Sequence, residues 1–598
     1  MPIPTYKVAI VGAGVSGLYT AWRLCVDTKT YDPKDVVVLE ASDRTGGRLR
    51  TWTLNKFDPS LPDDPLVRAE LGGMRILNYN LYAYSLSLEL GLNLVPFPAD
   101  VNENWHYLRG QVIQTQDYPE QQAYPLAPQE AGWTPGDVIY DALVTNGGIV
   151  PADQFPTEDG SITQRDFVNW VAINTTYRNL KSYETGFWNV LVGSGAFEQP
   201  EKSNVSYQAY AYFLEAGAYD TIPSNWNASV AFSNALGDFS NNPTYWAIDT
   251  GYESLTDKLR DQLIAAGVSI RLNTPVSAVT NAITTSNYVL TLGGAGQIAA
   301  TNLVLALPPR ALEILSHGAS LTGSVLSGLR PQIAQSTPVP LFKIFLVYDH
   351  DWWSDHLGKD PNGKPYTWPA FTRMTTDMPM RQIYFFGQTK PDANGKTYYL
   401  FQAAYNDGLK AGYWAGLMPP EGQQRDMDLN TDIFGRVQQA DGDDSIATGT
   451  LRFGTSDDVT TLPLFQTVHQ QFATLMGAVA ERTGTAQGLK PTLPIAGACM
   501  NWATDPFGGG VNFWDVGVEL IDEANVGGAY WDMLSPMPNL YVVGEGYSLY
   551  QGWVEGALWS AEDMLGRYFS LATPSWLKGT PYEAPGAHVP RVAAGAYD

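Results

Sequence analysis

The sequence predicts an α/β fold with a discontinuous Rossmann-like domain, a second domain on a mixed sheet, and a helical insertion. Three observations support it. Residues 6–11 are a short apolar run with β-branched side chains; it stops at Gly12-Ala13-Gly14-Val15-Ser16-Gly17, and residues 15–27 follow at helical spacing. That order reads as strand, tight turn, helix. Residues 36–40 read as a second buried strand, while a strand at 540–544 and a helix at 552–565 lie some 500 residues downstream. Residues 342–348, 382–386 and 398–403 read as strands of a separate sheet.

Further elements follow the same logic. Residues 100–160 are rich in Pro, Gly, Asn and Gln and show few periodic segments, whereas 161–240 read as helical and aromatic-rich. Thr250-Gly251-Tyr252-Glu253 matches a capping box, with Leu255, Leu259 and Leu263 spaced as a helix behind it. Short strands are expected at 268–272, 288–292 and 303–307, and a long amphipathic helix at 464–482. The proline-bearing tail from residue 573 reads as irregular.

Composition excludes several classes. Lys+Arg total 36 against 61 Asp+Glu, a net charge of −25, which repels phosphate backbones and argues against a nucleic-acid binder. Apolar residues are 44% of the 598, enough for large cores. Two cysteines exclude a disulfide scaffold. No run of about 20 apolar residues exists, so no membrane span is expected. The start lacks a basic stretch and a cleavage signal, so an intracellular location is expected. Asn174, Asn204 and Asn227 begin glycosylation sequons. The six histidines, His106, His317, His350, His356, His469 and His588, show no metal spacing; all read as structural, and no metal is expected.

The glycine motif has a clear physical use. Gly12 makes the turn, Gly14 lets backbone N–H groups approach a pyrophosphate, and Gly17 packs helix on strand. The helix N-terminus attracts the anion. Glu40 ends the second strand, where its carboxylate can accept both ribose hydroxyls and disfavours a 2′-phosphate. Glu40 then runs into Ala41-Ser42-Asp43-Arg44-Thr45-Gly46-Gly47-Arg48, where two glycines let backbone lie against a second part of a cofactor and Arg48 can neutralise it.

Residues 8–48 resemble the FAD-binding signature of the flavin-containing amine oxidase family, and the version here is most like L-amino acid oxidases. Tyr541-Val542-Val543-Gly544-Glu545 and Gln551-Gly552-Trp553 resemble the second flavin motif. The resemblance implies that Glu545 meets the ribityl chain, that Val276 holds the adenine through its backbone, and that Ser16, Ala41, Gly73, Met74 and Arg75 also border the cofactor. Glu70-Leu71-Gly72-Gly73-Met74-Arg75 resembles the amino acid oxidase form of its motif, whose arginine holds the substrate carboxylate; the other reading of Arg75 is a structural arginine tied to an acid. Tyr384, in a segment resembling the amino acid oxidase strand, would meet the same carboxylate or else lie in the core, and Arg381 reads as a solvated or paired surface residue. Lys343, in an otherwise apolar strand, resembles the lysine that holds a water near flavin N5, or else faces solvent. Trp553 resembles the aromatic residue beside the flavin face, and Trp502 shapes the pocket or packs the core. Where relatives attach FAD through cysteine this chain has Val511, so the FAD is expected to be non-covalent.

The implied layout is an FAD-binding domain at 1–80, 245–330 and 495–572, a substrate domain at 81–130 and 331–494, a helical domain at 131–244, and a tail at 573–598. The implied reaction takes an L-amino acid and O2 to a 2-oxo acid, ammonium and hydrogen peroxide, with the hydrogen on Cα passing as hydride to flavin N5. A homodimer or higher homo-oligomer is implied. Two rivals share the motifs: an amine or polyamine oxidase, and an amino acid 2-monooxygenase. Residues 161–240 contain no histidine, which leaves any active-site base unassigned.

Overall fold

The computed structural model describes residues 3–577 except 78, 121–122, 157–161, 194–201, 222–225, 241–243, 282–287, 294–295, 318–324, 361, 419–449, 454–461, 505 and 523–526. His588 and most of the expected tail lie outside the described residues. The elements that build the sheets and the site are, in chain order, β1 (Thr5–Val11), α1 (Val15–Trp22), β2 (Val36–Leu39), α2 (Ala228–Ala235), α3 (Glu253–Ala266), β3 (Ser269–Arg271), β4 (Val276–Asn281), β5 (Tyr288–Leu292), β6 (Gly296–Leu305), β7 (Leu341–Tyr348), β8 (Thr372–Thr375), β9 (Gln382–Gln388), β10 (Tyr399–Asp407), α4 (Pro463–Thr483), β11 (Ala496–Asn501), β12 (Val511–Trp514), β13 (Leu540–Val542) and α5 (Val554–Tyr568).

The first sheet has the order β3-β2-β1-β6-β5-β4, with β13 also paired to β6. β1, β2, β3, β6 and β13 run parallel to their neighbours, while β4, β5 and β6 pair antiparallel. One side of β6 is shared: residues 296–300 face β5, and residues 303–305 face β13. Strands near residues 10, 38, 304 and 541 thus become one surface. Val8–Val11 and Val36–Leu39 are buried, as parallel strands covered on both faces must be. α1 is buried along its whole length, packed against α3 and α5.

The second sheet has the order β8-β9-β10-β7-β11, with the strand Thr450–Phe453 beyond β11. Each described pairing in it is antiparallel, so the mixture of parallel and antiparallel neighbours belongs to the first sheet. All eight residues of β7 are buried. Phe342, Ile344, Leu346 and Tyr348 pack under Phe472 and Met476 of α4. Leu341, Phe345 and Val347 face the other way, with Tyr384 and Trp502. Lys343 alternates onto that second face, away from α4.

Several expectations change. β11 and β12 escape notice because Ala496-Gly497-Ala498-Cys499 and Val511-Asn512-Phe513-Trp514 lack strict alternation. Thr250 does not cap α3: Tyr252 is the N-cap, and the Glu253 carboxylate instead accepts from the Thr51 N–H at 2.7 Å. Asn227 is fully buried, donates to the Asp515 and Val518 carbonyls and caps α2, so its sequon is part of the packing. Helices Gln164–Asn174, Tyr207–Gly217 and α2 occupy the stretch read as helical. Among the described residues no helix is long and apolar enough to cross a membrane, and no group of His, Cys, Asp and Glu could hold a metal.

A buried ion cluster ties the two ends of the first layer. Arg23, just after α1, donates to Glu562 of α5 at 2.8 and 3.0 Å, to the Ala572 carbonyl at 2.7 Å, and pairs with Asp27. Tyr19 donates to the same Glu562 at 2.8 Å. Removing one partner strands the other charge in the core. Glu562→Ala is expected to lower the unfolding free energy by about 3 kcal/mol or more, as read by urea denaturation of the intact protein.

Candidate functional site

Two adjoining cavities lie where the sheets meet, the larger about 290 Å³ and the smaller about 140 Å³. Gly73, Leu341, Tyr405, Val511, Gly552 and Trp553 line both.

The larger cavity is built on glycine. Gly12 has φ +103°, and a Cβ there would stand 2.4 Å from the Ala306 carbonyl oxygen, so no larger residue keeps this turn. A Cβ on Gly17 would stand 2.0 Å from the Gly12 carbonyl oxygen, which is the close helix-on-strand approach. α1 has no side-chain cap at Gly14, and Gly14, Val15 and Ser16 line the cavity. The open N–H groups of that first turn suit an anion. Glu40 borders the same space; its carboxylate accepts from the Ala13 N–H at 2.7 Å and the Ser42 N–H at 2.9 Å. The donor set and the glycine cradle therefore fit the dinucleotide that the sequence implies. Arg44, not singled out by motif, stitches this wall by donating to the Thr45, Gly47 and Leu49 carbonyls.

Glu545 organises the other end. Its Oε1 accepts from the Asn512 N–H at 3.0 Å and the Gly552 N–H at 2.7 Å; its Oε2 takes Asn512 Nδ2 at 2.6 Å and Arg48 Nη1 at 2.8 Å. Arg48 Nη1 also donates to the Gly510 carbonyl at 3.0 Å. Both oxygens of Glu545 are thus engaged by protein donors. Its local work is to hold Arg48, β12 and the approach to α5, and it borders the larger cavity beside them.

Arg75 stands in the wall of the smaller cavity. It donates to the Tyr219 hydroxyl at 3.2 Å and the Tyr384 hydroxyl at 3.4 Å, and its guanidinium lies 4.1 Å from the Tyr245 ring centre. Asp238 Oδ1 is 3.7 Å away, so an acid does stand beside it. Lys343 Nζ donates to the Glu70 carbonyl at 3.0 Å and the Gly72 carbonyl at 2.6 Å, and the side chain is 1% exposed. Burial, opposed by nearby Glu70, pulls the Lys343 pKa down to about 7; burial pushes Glu70 up to about 7.

The expected residues distribute as follows. Gly12, Gly14, Ser16, Glu40, Ala41, Gly47, Arg48, Gly73, Val276, Gly544, Glu545, Gly552 and Trp553 line the larger cavity, while Met74, Arg75 and Lys343 line the smaller. Tyr384 lies behind Arg75, donating to Gln382 at 3.1 Å, and Tyr219 takes its place on the cavity wall. Trp502 borders the larger cavity and donates to the Leu71 carbonyl at 2.8 Å. Arg381 is not at the surface: it is fully buried and paired with Asp220 at 2.8 Å. Cys25 and Cys499 are buried, and Val511 stands on the wall of both cavities. Sequence reasoning missed Tyr219, Trp226, Asp238 and Phe513 of the smaller cavity, since no motif marks them, and the aromatic richness of 161–240 hinted only at Tyr219 and Trp226.

Comparison with known proteins gives the chain's family. The family model described as flavin containing amine oxidoreductase matches residues 15–563. Aplysianin-A of Aplysia kurodai is 23% identical over 94% of this chain and 90% of its own. An L-amino-acid oxidase of Protobothrops flavoviridis is 25% identical over 63% of this chain and 64% of its own. Among solved structures, cyclohexylamine oxidase from Brevibacterium oxydans has a TM-score of 0.50 and 17% identity, covering 94% of this chain and 98% of its own.

Two measurements probe this site. Glu545→Gln leaves Arg48 without its counter-charge and is expected to weaken flavin retention about tenfold or more, read by titrating stripped protein with FAD. Lys343 titrates at about 7 when folded against an ordinary 10.5. The folded state therefore bears a charge penalty that is full at low pH and fades as pH rises towards the unfolded value. Lys343→Met removes that penalty, so its stability relative to the parent is expected to be highest near about pH 6 and to decline towards about pH 10, read by urea melts across pH.

Proposed function

The chain belongs to the flavin-containing amine oxidoreductase family, with FAD as its cofactor, and on that premise we propose that it oxidatively deaminates L-α-amino acids. The Cα–N bond becomes a C=N bond, water hydrolyses the imino acid to a 2-oxo acid and ammonium, and O2 is reduced to hydrogen peroxide. FAD supplies the electron acceptor; the chain supplies binding, orientation and exclusion of water.

Arg75 is the observation on which this reading rests. Its side chain is 8% exposed, lines the smaller cavity, and donates to two tyrosine hydroxyls. A planar guanidinium matches a carboxylate through two parallel hydrogen bonds. An amine without a carboxylate has no use for such a cation. With the carboxylate held there, Gly552 and Trp553, shared by both cavities, bring the substrate against the cofactor space. In this reading Lys343, which lines the same cavity, holds a water for the oxygen step with the ammonium N–H that the Glu70 and Gly72 carbonyls leave over.

The second reading is an amine oxidase. It is favoured by the Arg75–Asp238 distance of 3.7 Å, which makes a self-contained pair possible. Mixing the holoprotein anaerobically with L-leucine, and separately with its decarboxylated amine, separates the two. Bleaching by the amino acid is expected, with kcat/KM falling by about 10³-fold in Arg75→Met as a charged contact is lost. Bleaching of the parent by the amine alone would reverse the assignment.

A further inference from the structure

We propose that Asp238 accepts the proton that the substrate's α-ammonium loses before oxidation, while Arg75 holds the adjoining carboxylate. This rests on the amino-acid reading of Arg75. An ammonium nitrogen has no lone pair, and the C=N bond forms from that lone pair as the Cα–H bond breaks. One N–H proton must therefore leave first, and a base within hydrogen-bond reach serves best.

The placement of Asp238 fits. α2 runs on into a π-helical turn, Leu236–Ser240, of the kind that re-aims side chains at functional sites. Asn234 and Asp238, on one face of this helix, both line the smaller cavity. Asp238 Oδ1 is fixed by the Tyr245 hydroxyl at 2.5 Å. Its Oδ2 has no hydrogen bond among the described residues, although the side chain is only 10% exposed. A carboxylate and an ammonium on one Cα need neighbouring partners, and Arg75 and Asp238 are 3.7 Å apart.

The charged and titratable groups around it do not take this role. Arg75 faces Asp238 from the segment after Glu70; Tyr245, Tyr219 and Tyr550 face it from other elements, and burial pushes all three phenols up, so they stay protonated. Asp407, across the cavity, is held by the Asp220 and Thr221 N–H groups, each at 2.9 Å. Glu70 turns to the Tyr252 N–H and the Thr51 hydroxyl. Lys343 is the remaining candidate base, and the experiment separates it.

The step balances. One N–H bond breaks and its proton goes to the Asp238 carboxylate. The Cα hydrogen then leaves with its electron pair to the oxidised flavin, and the nitrogen lone pair closes the C=N bond. Substrate loses two electrons and the flavin gains them.

The test is anaerobic stopped-flow reduction of the bound flavin by L-leucine and L-phenylalanine, from about pH 6 to about pH 10. Asp238→Asn is expected to reduce about 100-fold more slowly at neutral pH. Its rate should then rise about tenfold per pH unit as free amine accumulates, towards the parent's. Asp238→Glu keeps a carboxylate and is expected to retain the parent's pH profile; it also serves if the Asn variant binds no flavin. A wild-type rate in Asp238→Asn overturns the proposal. So does a loss equal at every pH, or tighter substrate binding with unchanged rate, which would mean that Asp238 only screens Arg75. If Lys343→Met acquires the steep pH dependence instead, Lys343 is the acceptor and the proposal falls. If the parent is bleached by isopentylamine and by neither amino acid, the carboxylate reading of Arg75 fails, and this proposal with it.

Discussion

One buried carboxylate gathers the site. Glu545 takes donors from Asn512 and Gly552 nearby in the chain and from Arg48 hundreds of residues before it. Each donor does a different thing. Arg48 fixes the Gly-Gly loop, Asn512 fixes β12, and the Gly552 N–H fixes the backbone just before α5. The wall between the two cavities is made from these same segments, through Val511, Gly552 and Trp553. A charge this buried is tolerable only because four donors satisfy it.

The same economy recurs in the smaller cavity. Arg75, Lys343, Glu70 and Asp238 are buried charges or potential charges within one region, and each is balanced by a different means. Arg75 leans on tyrosine rings and hydroxyls while lining the cavity wall. Lys343 is spent on two backbone carbonyls, and those carbonyls belong to the strand and glycine turn that present Arg75. Arg75 also has the Asp238 carboxylate at 3.7 Å, whereas the Lys343 ammonium is held by neutral carbonyls. In a low-dielectric pocket a cation such as Arg75 acts strongly on an anion.

Parallel pairing explains how the chain ends meet. β6 offers one edge to β5 and then to β13, so the C-terminal strand enters the sheet next to the N-terminal glycine turn. Arg23 and Glu562 lock the helices above it. Gly12 can then press against Ala306, and the first turn of α1 opens onto the cavity.

By itself the sequence determined what is local or covalent. The turn at Gly12-Ala13-Gly14 is legible from its glycine spacing between a strand and a helix, and Gly12 takes a φ of +103° that favours glycine. The core strands at 36–39, 288–292 and 341–348 announce themselves by apolar content, and most of the motif residues come together on the wall of the larger cavity. Tertiary structure alone decided which groups face each other across the chain. Glu545 became a tether because Arg48 and Asn512 arrive beside it. Lys343 is buried because the segment at 70–72 covers the face that alternation left open. Tyr384 sits behind Arg75 and Tyr219 in front, an ordering that no spacing encodes. Asp238 gained its place from a helix that turns once more before it ends. Pairing between distant residues depends on how layers pack, and packing is a property of the whole fold, not of any window of sequence.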